Sequence, residues 1–395
     1  MTDAAAPAAN RSRPARIDRV GVLVALATLG ALALPFVTFR ANRIVPGHGL
    51  SILATFPSAP GLLATAGWLA AAALALLPGR PARRAVVGAA ALVWLGYWLG
   101  AAPARLVDAD SAAIARISPA AGAWLLLFAF AVLIADAFAR LGPSPARRIG
   151  ALVLAAAALG AALASGGWDG LSVMQEYAVR ADSFSAEALR HLELVAGSTF
   201  AAFAVALPVG IGCAHRPAWR AALLPVLNVV QTIPSIALFG ILMVPLGLLA
   251  AHVPLAAALG IGGIGPAPAF VALFLYALLP IVSSVVVGID GVDATVVEAA
   301  RAMGMTPRQR VIGVELALAL PVILAGLRIV LVQNVGLAAV AALIGGGGFG
   351  TFIFQGLGQA ATDLVLLGAL PTIALAFVAS VVFDAAIQLS KRSPR

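Results

Sequence analysis

Four polar residues share one face of a helix predicted within an apolar chain. Their spacing of i, i+3, i+4 and i+7 places them on a single stripe, and they are Asn228, Gln231, Thr232 and Ser235. Such amides and hydroxyls bind polar solutes on transport pathways, and they also bond one membrane helix to another. The spacing alone does not choose between these two roles.

A proline lies inside the same stripe. Pro234 lacks a backbone N–H and is predicted to bend or interrupt the helix. If the helix begins near Arg220, Gln231 lies about 16 Å along it, close to the bilayer midplane. Because interrupted helices with polar groups at that depth commonly line transport pathways, the stripe is a candidate translocation pathway.

Arg328 is the one basic residue that falls within a predicted span. A charge at the bilayer centre costs roughly 2.5–3.5 kcal/mol on insertion scales. We therefore expect Arg328 to face protein or water and to have partners. Structural and gating roles both remain open, whereas direct binding of a cationic solute is disfavoured by like charge. Arg328 is included among the candidate pathway residues.

No set of residues predicts a catalytic, metal or cofactor site. The single lysine, Lys391, lies too near the end for the Gly-x-x-x-x-Gly-Lys-Ser/Thr loop that holds ATP phosphates. The single cysteine, Cys213, excludes an internal disulfide. The four histidines are scattered over separate segments without metal-ligand spacing: His48, His191, His215 and His252. If ATP powers this protein, another polypeptide binds it.

One polar segment, 293–310, interrupts the apolar runs. We predict a helix that starts at Asp293 or Thr295, with Glu298 completing a capping box to Thr295. Gly304 is a natural helix stop, and Thr306, Pro307 and Gln309 predict a second capped helix. Small side chains on the first helix would allow it to seat in a cleft. The alternative is a plain basic loop with turn residues, which would not require small side chains.

The elements around these residues are membrane helices. The chain has 395 residues, 10% of them charged, and a mean hydropathy of +1.04, against roughly 25% charged residues in soluble domains. Ten apolar runs are long enough to span a bilayer, at 20–39, 61–78, 85–102, 119–139, 149–165, 192–213, 221–247, 267–289, 318–342 and 364–388. The run 248–265 is apolar but broken, and it could cross or re-enter. The fold class is an all-α polytopic membrane protein.

The distribution of basic residues predicts the orientation. Of the 25 lysines and arginines, 18 fall in alternate segments that include both termini and 293–310. The positive-inside rule places these segments in the cytoplasm. We predict a cytoplasmic tail at 1–17, a five-helix block at 18–165, an external polar loop at 166–190 and a second block at 191–395.

The second block resembles the permeases of ABC importers. Glu298, Ala299, Ala300 and Gly304 match that family's EAA loop in spacing, although the family's later proline would fall at Ala317. The segments VVQTIPSIALFG, PAFVALFLYALLPIVSSVVVGI and LIGGGGFGTFIFQGL are similar to the glycine betaine and osmoprotectant branch. The first block resembles the additional N-terminal helices of extended members of that branch. The resemblance implies a type I ABC-importer permease core in the C-terminal half.

The resemblance also implies partners and a function. Residues 293–310 would be the coupling segment, with Glu298, Ala299, Ala300, Arg301 and Gly304 contacting a separate ATPase. A soluble or periplasmic binding protein would deliver an osmoprotectant such as glycine betaine, and a second permease copy or homologue would complete the pore in the bacterial inner membrane. The alternatives are a permease for another small solute such as an amino acid, an ion-gradient-driven transporter, and a membrane enzyme. The last two alternatives are disfavoured, because no acidic residue lies deep in a predicted span and no catalytic groups converge.

Overall fold

A computed structural model describes residues 18–43, 45–107 and 114–391. The predicted tail 1–17 lies outside the described residues. Two compact units are present: the first contains the chain up to Pro143 together with Gly160–Met174, and the second contains Ser144–Leu159 together with the chain from Gln175 onward.

The first unit is a helical bundle with one small sheet. Its helices are α1 Arg19–Ala33, α2 Ile52–Thr55, α3 Ala59–Leu76, α4 Pro81–Ala101, α5 Pro103–Leu106 and α6 Ala121–Leu141. Three short antiparallel strands, β1 Val37–Arg40, β2 His48–Leu50 and β3 Arg116–Pro119, pair in the order β2-β1-β3. The predicted span 20–39 is therefore wrong in its second half, because the helix ends at Ala33 and β1 begins four residues later.

Small residues bring the helices of the first unit close together. A Cβ added to Gly21 of α1 would lie 2.2 Å from the carbonyl oxygen of Ala75 in α3, so only glycine permits this approach. Large aromatic side chains fill the remaining space, and the rings of Phe56 and Trp98 meet edge to face with centroids 4.8 Å apart. Membrane helices associate by this kind of close packing, since lipid supplies no hydrophobic drive between them.

A balanced charge cluster closes one end of the first unit. Arg84 is buried and contacts Asp18 and Asp136 at 2.7 and 3.0 Å, and Arg140 contacts the same two carboxylates at 2.7 and 2.9 Å. Burial raises the pKa of Asp18, but hydrogen bonds from Arg84, from the Gly21 backbone N–H and from Arg140 outweigh it and hold that pKa well below its usual value. Two cations and two carboxylates thus compensate each other.

The second unit contains the remaining helices. They are α7 Pro145–Ala164, α8 Ser172–Val179, α9 Ala181–His215, α10 Pro217–Thr232, α11 Ser235–His252, α12 Pro254–Ala258, α13 Pro266–Asp290, α14 Ala294–Ala302, α15 Pro307–Arg310, α16 Leu316–Val340, α17 Gly350–Gly358 and α18 Thr362–Lys391, with the chain passing between the units inside α7 and α8. Helices α9, α13 and α16 pack around Ala206, Ile281, Val285 and Ile323, and α18 lies against α16.

Two predicted boundaries in this region are wrong. The polar segment 166–190 is not a loop, because it contains α8 and the start of α9. At 35 residues, α9 extends about 52 Å, which is longer than a 30 Å hydrocarbon core, and its first turns carry polar residues of the predicted loop. The single span 221–247 is two helices, since the chain is extended at Pro234 between α10 and α11. That interruption confirms the role predicted for Pro234.

The helix count is close to the predicted ten spans. Within the described part of the chain, nine helices are long and apolar enough to cross a membrane, and α1 is a further apolar helix of 15 residues. The run 248–265, left open by the sequence, contains the end of α11, the short α12 and irregular chain up to Gly265.

Candidate coupling segment and membrane polar residues

The coupling segment, residues 293–310, folds as helix, glycine turn and helix. Asp293 is the N-cap of α14, and its Oδ1 accepts hydrogen bonds from the backbone N–H and the hydroxyl of Thr295, both at 2.8 Å. Those hydrogen bonds lower the pKa of Asp293. The predicted capping box between Thr295 and Glu298 is wrong, because Thr295 lies inside the helix and its hydroxyl donates to the cap.

The turn and the second helix follow the predicted pattern. Gly304 has φ +81°, a left-handed conformation that glycine adopts without cost. The Met305 N–H donates to the Ala300 carbonyl at 3.2 Å and closes the turn. Thr306 and Gln309 then form a reciprocal capping box around Pro307 at the start of α15. Local side-chain chemistry therefore fixes the shape of this segment.

The predicted ATPase-contacting residues separate into two groups. Glu298, Ala299, Arg301 and Gly304 are exposed, whereas Ala300 is 2% exposed and faces the chain itself. Within the described ranges, neither Glu298 nor Arg301 has a salt-bridge partner. Met303, at 75% exposure, adds a flexible apolar side chain to the same short stretch. The segment thus presents charge, a small residue and a methionine to its surroundings.

The four residues of the polar stripe lie at the interruption between α10 and α11. The Gln231 Nε2 donates to the backbone carbonyl of Tyr276 in α13 at 2.6 Å. The Thr232 hydroxyl donates to the carbonyl of Val229 in its own helix at 2.7 Å. Asn228 is exposed, and Ser235 begins α11 in a half-buried position. Gln231 thus holds two helices together, while Asn228 and Thr232 remain on an open face.

Arg328 has a partner that the sequence analysis did not assign. Its Nη1 donates to Asp384 of α18, whose other carboxylate oxygen lies 3.4 Å from Arg148 of α7. Each of these side chains comes from a different helix, and a carboxylate shared by two guanidiniums offsets the cost of placing charge near lipid. Sequence reasoning missed this contact because Arg328 and Asp384 are far apart in the chain.

A buried polar cluster joins α9 to α16 in the second unit. The Asn334 Nδ2 donates to the hydroxyls of Ser198 and Thr199 at 3.3 and 3.0 Å. Among the described residues, no group of three or more histidine, cysteine, aspartate or glutamate side chains is arranged to hold a metal. Asn334 thus bonds α16 to α9.

Sequence comparisons find known protein families that match both halves of the chain. Residues 206–395 match the model of the binding-protein-dependent transport system inner membrane component family. The carnitine transport permease protein OpuCB of Listeria monocytogenes is 37% identical over 48% of this chain and 79% of its own length. The chain belongs to this family of ABC-transporter permeases. The predicted permease core in the C-terminal half is thereby confirmed.

Other relatives and the N-terminal half agree with this membership. The osmoprotectant import permease protein OsmW of Salmonella typhimurium is 39% identical over 48% of this chain and 83% of its own length. Residues 18–174 match the N-terminal domain of the ABC transporter permease YehY, which confirms the predicted extended form. A solved inward-facing MetNI methionine ABC transporter is similar at 27% identity, with a TM-score of 0.45 over 53% of this chain and 96% of that chain.

Proposed function

We propose that this permease is the membrane subunit of an ATP-driven importer for quaternary-ammonium osmoprotectants such as glycine betaine, choline or carnitine. The relatives at 35–39% identity carry the names of carnitine, choline and osmoprotectant permeases, which supports this solute class. A permease for another small solute such as an amino acid is the second candidate, because specificity can reside in a separate receptor.

The observation that carries the proposal is the surface of the coupling segment. Glu298 and Arg301 extend from a short capped helix without salt-bridge partners in the described chain. We propose that this surface docks into a separate ATPase subunit, and that ATP closes two such subunits and moves the coupling segment with them. A ligand shifts a two-state equilibrium only through contacts that differ between the states, and this docking surface provides such contacts.

We include the orientation and the remaining partners in the same proposal. We propose cytoplasmic termini and a cytoplasmic coupling segment, as the basic residues indicate. The exposed Asn228 and Thr232 on α10 would then face a second permease copy or the solute pathway, because polar side chains facing lipid are costly. A soluble or periplasmic binding protein would deliver the solute on the opposite side.

Copurification and uptake together test this proposal. The permease, expressed with an ABC ATPase and a binding protein from the same operon, should retain the ATPase through purification and take up radiolabelled glycine betaine in proteoliposomes only with ATP inside. Uptake that follows an imposed proton or sodium gradient and ignores ATP would instead establish a secondary transporter. ATP-driven uptake of an amino acid but of no quaternary ammonium would establish the second candidate.

A further inference from the structure

A buried carboxylate lies where the coupling segment joins the membrane helix. Glu315 is 3% exposed and ends a π-helical turn, Val311–Glu315, between α15 and α16. Its Oε1 lies 3.1 Å from Nε of Arg310, and its Oε2 lies 2.8 Å from Nε2 of His215, the last residue of α9. A buried charge without partners costs several kcal/mol, so these two contacts are what make Glu315 tolerable.

The contacts around His215 fix where one proton lies. Its Nδ1 is 2.9 Å from the carbonyl oxygen of Ile211, and a carbonyl oxygen only accepts, so Nδ1 carries a hydrogen. Its Nε2 faces a carboxylate oxygen at 2.8 Å, and two bare acceptors at that distance would repel each other. The His215 ring thus faces an acceptor oxygen at each of its nitrogens, and its Nε2 contact with Glu315 joins the end of α9 to the π-helical turn.

The π-turn connects this contact directly to the coupling segment. The Leu316 N–H bonds to the Val311 carbonyl five residues earlier, the pattern of a π-bulge, which is rare and often lies at functional sites. The Met305 side chain of the coupling segment lies close to the turn, since its Cε would be 3.7 Å from a Cβ added to Gly313. The glycine turn, α15 and the π-turn thus form one continuous packed piece.

We infer that Glu315, His215 and Arg310 form a latch that makes the end of α9 follow the coupling segment. Arg310 holds the carboxylate from the coupling side and His215 holds it from α9, so displacement of one side pulls the other. Glu315 is a positioning residue: it acts through Arg310 and His215, and it transmits the motion of the coupling segment to α9. The inference rests on the proposed function and adds the route by which the motion enters the membrane core.

The ratio of solute moved to ATP hydrolysed tests the latch. In proteoliposomes containing the whole complex, Glu315→Gln, which keeps the shape and removes the charge, should lower this ratio roughly fivefold or more while the ATPase still copurifies. His215→Asn should lower the ratio too, and the double variant should be no worse than Glu315→Gln alone, because the His215 contact is already broken in Glu315→Gln. His215→Lys restores a cation and should recover part of the ratio.

A matched control separates coupling from general stability. Arg220→Gln breaks the exposed ion pair with Asp290, at 2.7 Å, in the same unit but outside the latch, and it should leave the ratio unchanged. Unaltered ratios in Glu315→Gln and His215→Asn with intact assembly would overturn the latch. So would losses of melting temperature and yield with no change in ratio, which a purely structural role predicts.

Three further outcomes are distinguishable. If Glu315→Gln fails to assemble, His215→Asn decides the question, because it leaves the carboxylate with Arg310. If the unaltered complex shows no ATP-driven uptake at all, the proposed function fails and the latch with it. If the unaltered complex transports normally and the variants have the same ratio of solute moved to ATP hydrolysed, the latch alone fails.

Discussion

Gln231 and Tyr276 bond to each other across the interruption at Pro234. The Gln231 Nε2 donates to the Tyr276 backbone carbonyl at 2.6 Å, and the Tyr276 hydroxyl donates to the carbonyl of Ile233, which the break leaves without its helical partner. Broken helices are tolerated in membranes when neighbouring side chains satisfy the freed backbone groups. This reciprocal pair satisfies that requirement, and it makes Gln231 part of the structure of the break.

The polar stripe therefore separates into two testable roles. Gln231→Leu should lower the free energy of unfolding by about 1 kcal/mol, because it removes the bond to Tyr276. Asn228→Leu, on the open face, should lower uptake and leave stability unchanged. Thermal unfolding of the purified complex and uptake assays measure both quantities. Equal stability of the two variants with reduced uptake in both would instead assign the whole stripe to the pathway.

The Arg328–Asp384 pair predicts a non-additive effect. Asp384→Asn leaves the Arg328 guanidinium without its carboxylate, so it should destabilise the protein by about 1 kcal/mol, the modest value expected for partly exposed pairs. Arg328→Gln should cost a similar amount, and the double variant should cost less than the sum of the two. Unfolding of all three variants in lipid nanodiscs gives the comparison. Strictly additive losses would show that the two side chains do not interact.

Gly304 predicts a local effect on ATPase binding. Its positive φ means that Gly304→Asp strains the turn by roughly 1–2 kcal/mol, while no atom within 4 Å would clash with a new side chain. Membrane insertion should remain normal and ATPase copurification should fall. Gly142→Asp is the matched control, since Gly142 also has a positive φ and open surroundings but lies in the first unit. A loss of ATPase with both substitutions would contradict a specific role for the turn.

Removing the Glu298 side chain tests the docking surface itself. Because Glu298 is exposed and outside any intrachain salt bridge in the described structure, Glu298→Ala should leave the free energy of unfolding within about 0.5 kcal/mol of its original value. ATPase retention during purification should drop. Arg308→Ala, another exposed charge on the same segment, shows whether any lost charge has this effect. Full ATPase retention in Glu298→Ala would remove this residue from the interface.

The cap of α14 predicts a pH dependence in acid. Hydrogen bonds from the backbone N–H and the hydroxyl of Thr295 hold the pKa of Asp293 below its usual value of 3.8. The stability that ionised Asp293 gives to the start of α14 is thus complete above the pKa of the unfolded state. This stability is lost as pH falls through the lower pKa of the folded state. Hydrogen exchange of residues 294–302 should rise in this window. Asp293→Asn keeps a hydrogen-bond acceptor that does not titrate, and it should abolish the pH dependence of exchange. An unchanged profile in this variant would assign the pH dependence to another group.

Local patterns in the sequence predicted much of this architecture. Hydrophobic runs located the membrane helices because spanning a bilayer requires about 20 apolar residues. The turn at Gly304 and the capping box at Thr306 were predictable, since they depend on residues within a few positions of each other. The sequence left the cap open between Asp293 and Thr295, because both are good caps and only the backbone conformation selects between them.

The amino-acid sequence by itself determined that this is a polytopic membrane protein, where most of its membrane helices lie and how its coupling segment turns, because these properties arise from short-range chemistry and hydrophobic length. Its motifs supplied the resemblance to ABC-importer permeases. The tertiary structure alone decided which polar groups meet: Arg328 with Asp384, Gln231 with Tyr276, and Glu315 with His215. Each of these pairs joins residues far apart in sequence. Their contact depends on which helices pack together, and spacing along the chain carries no record of that.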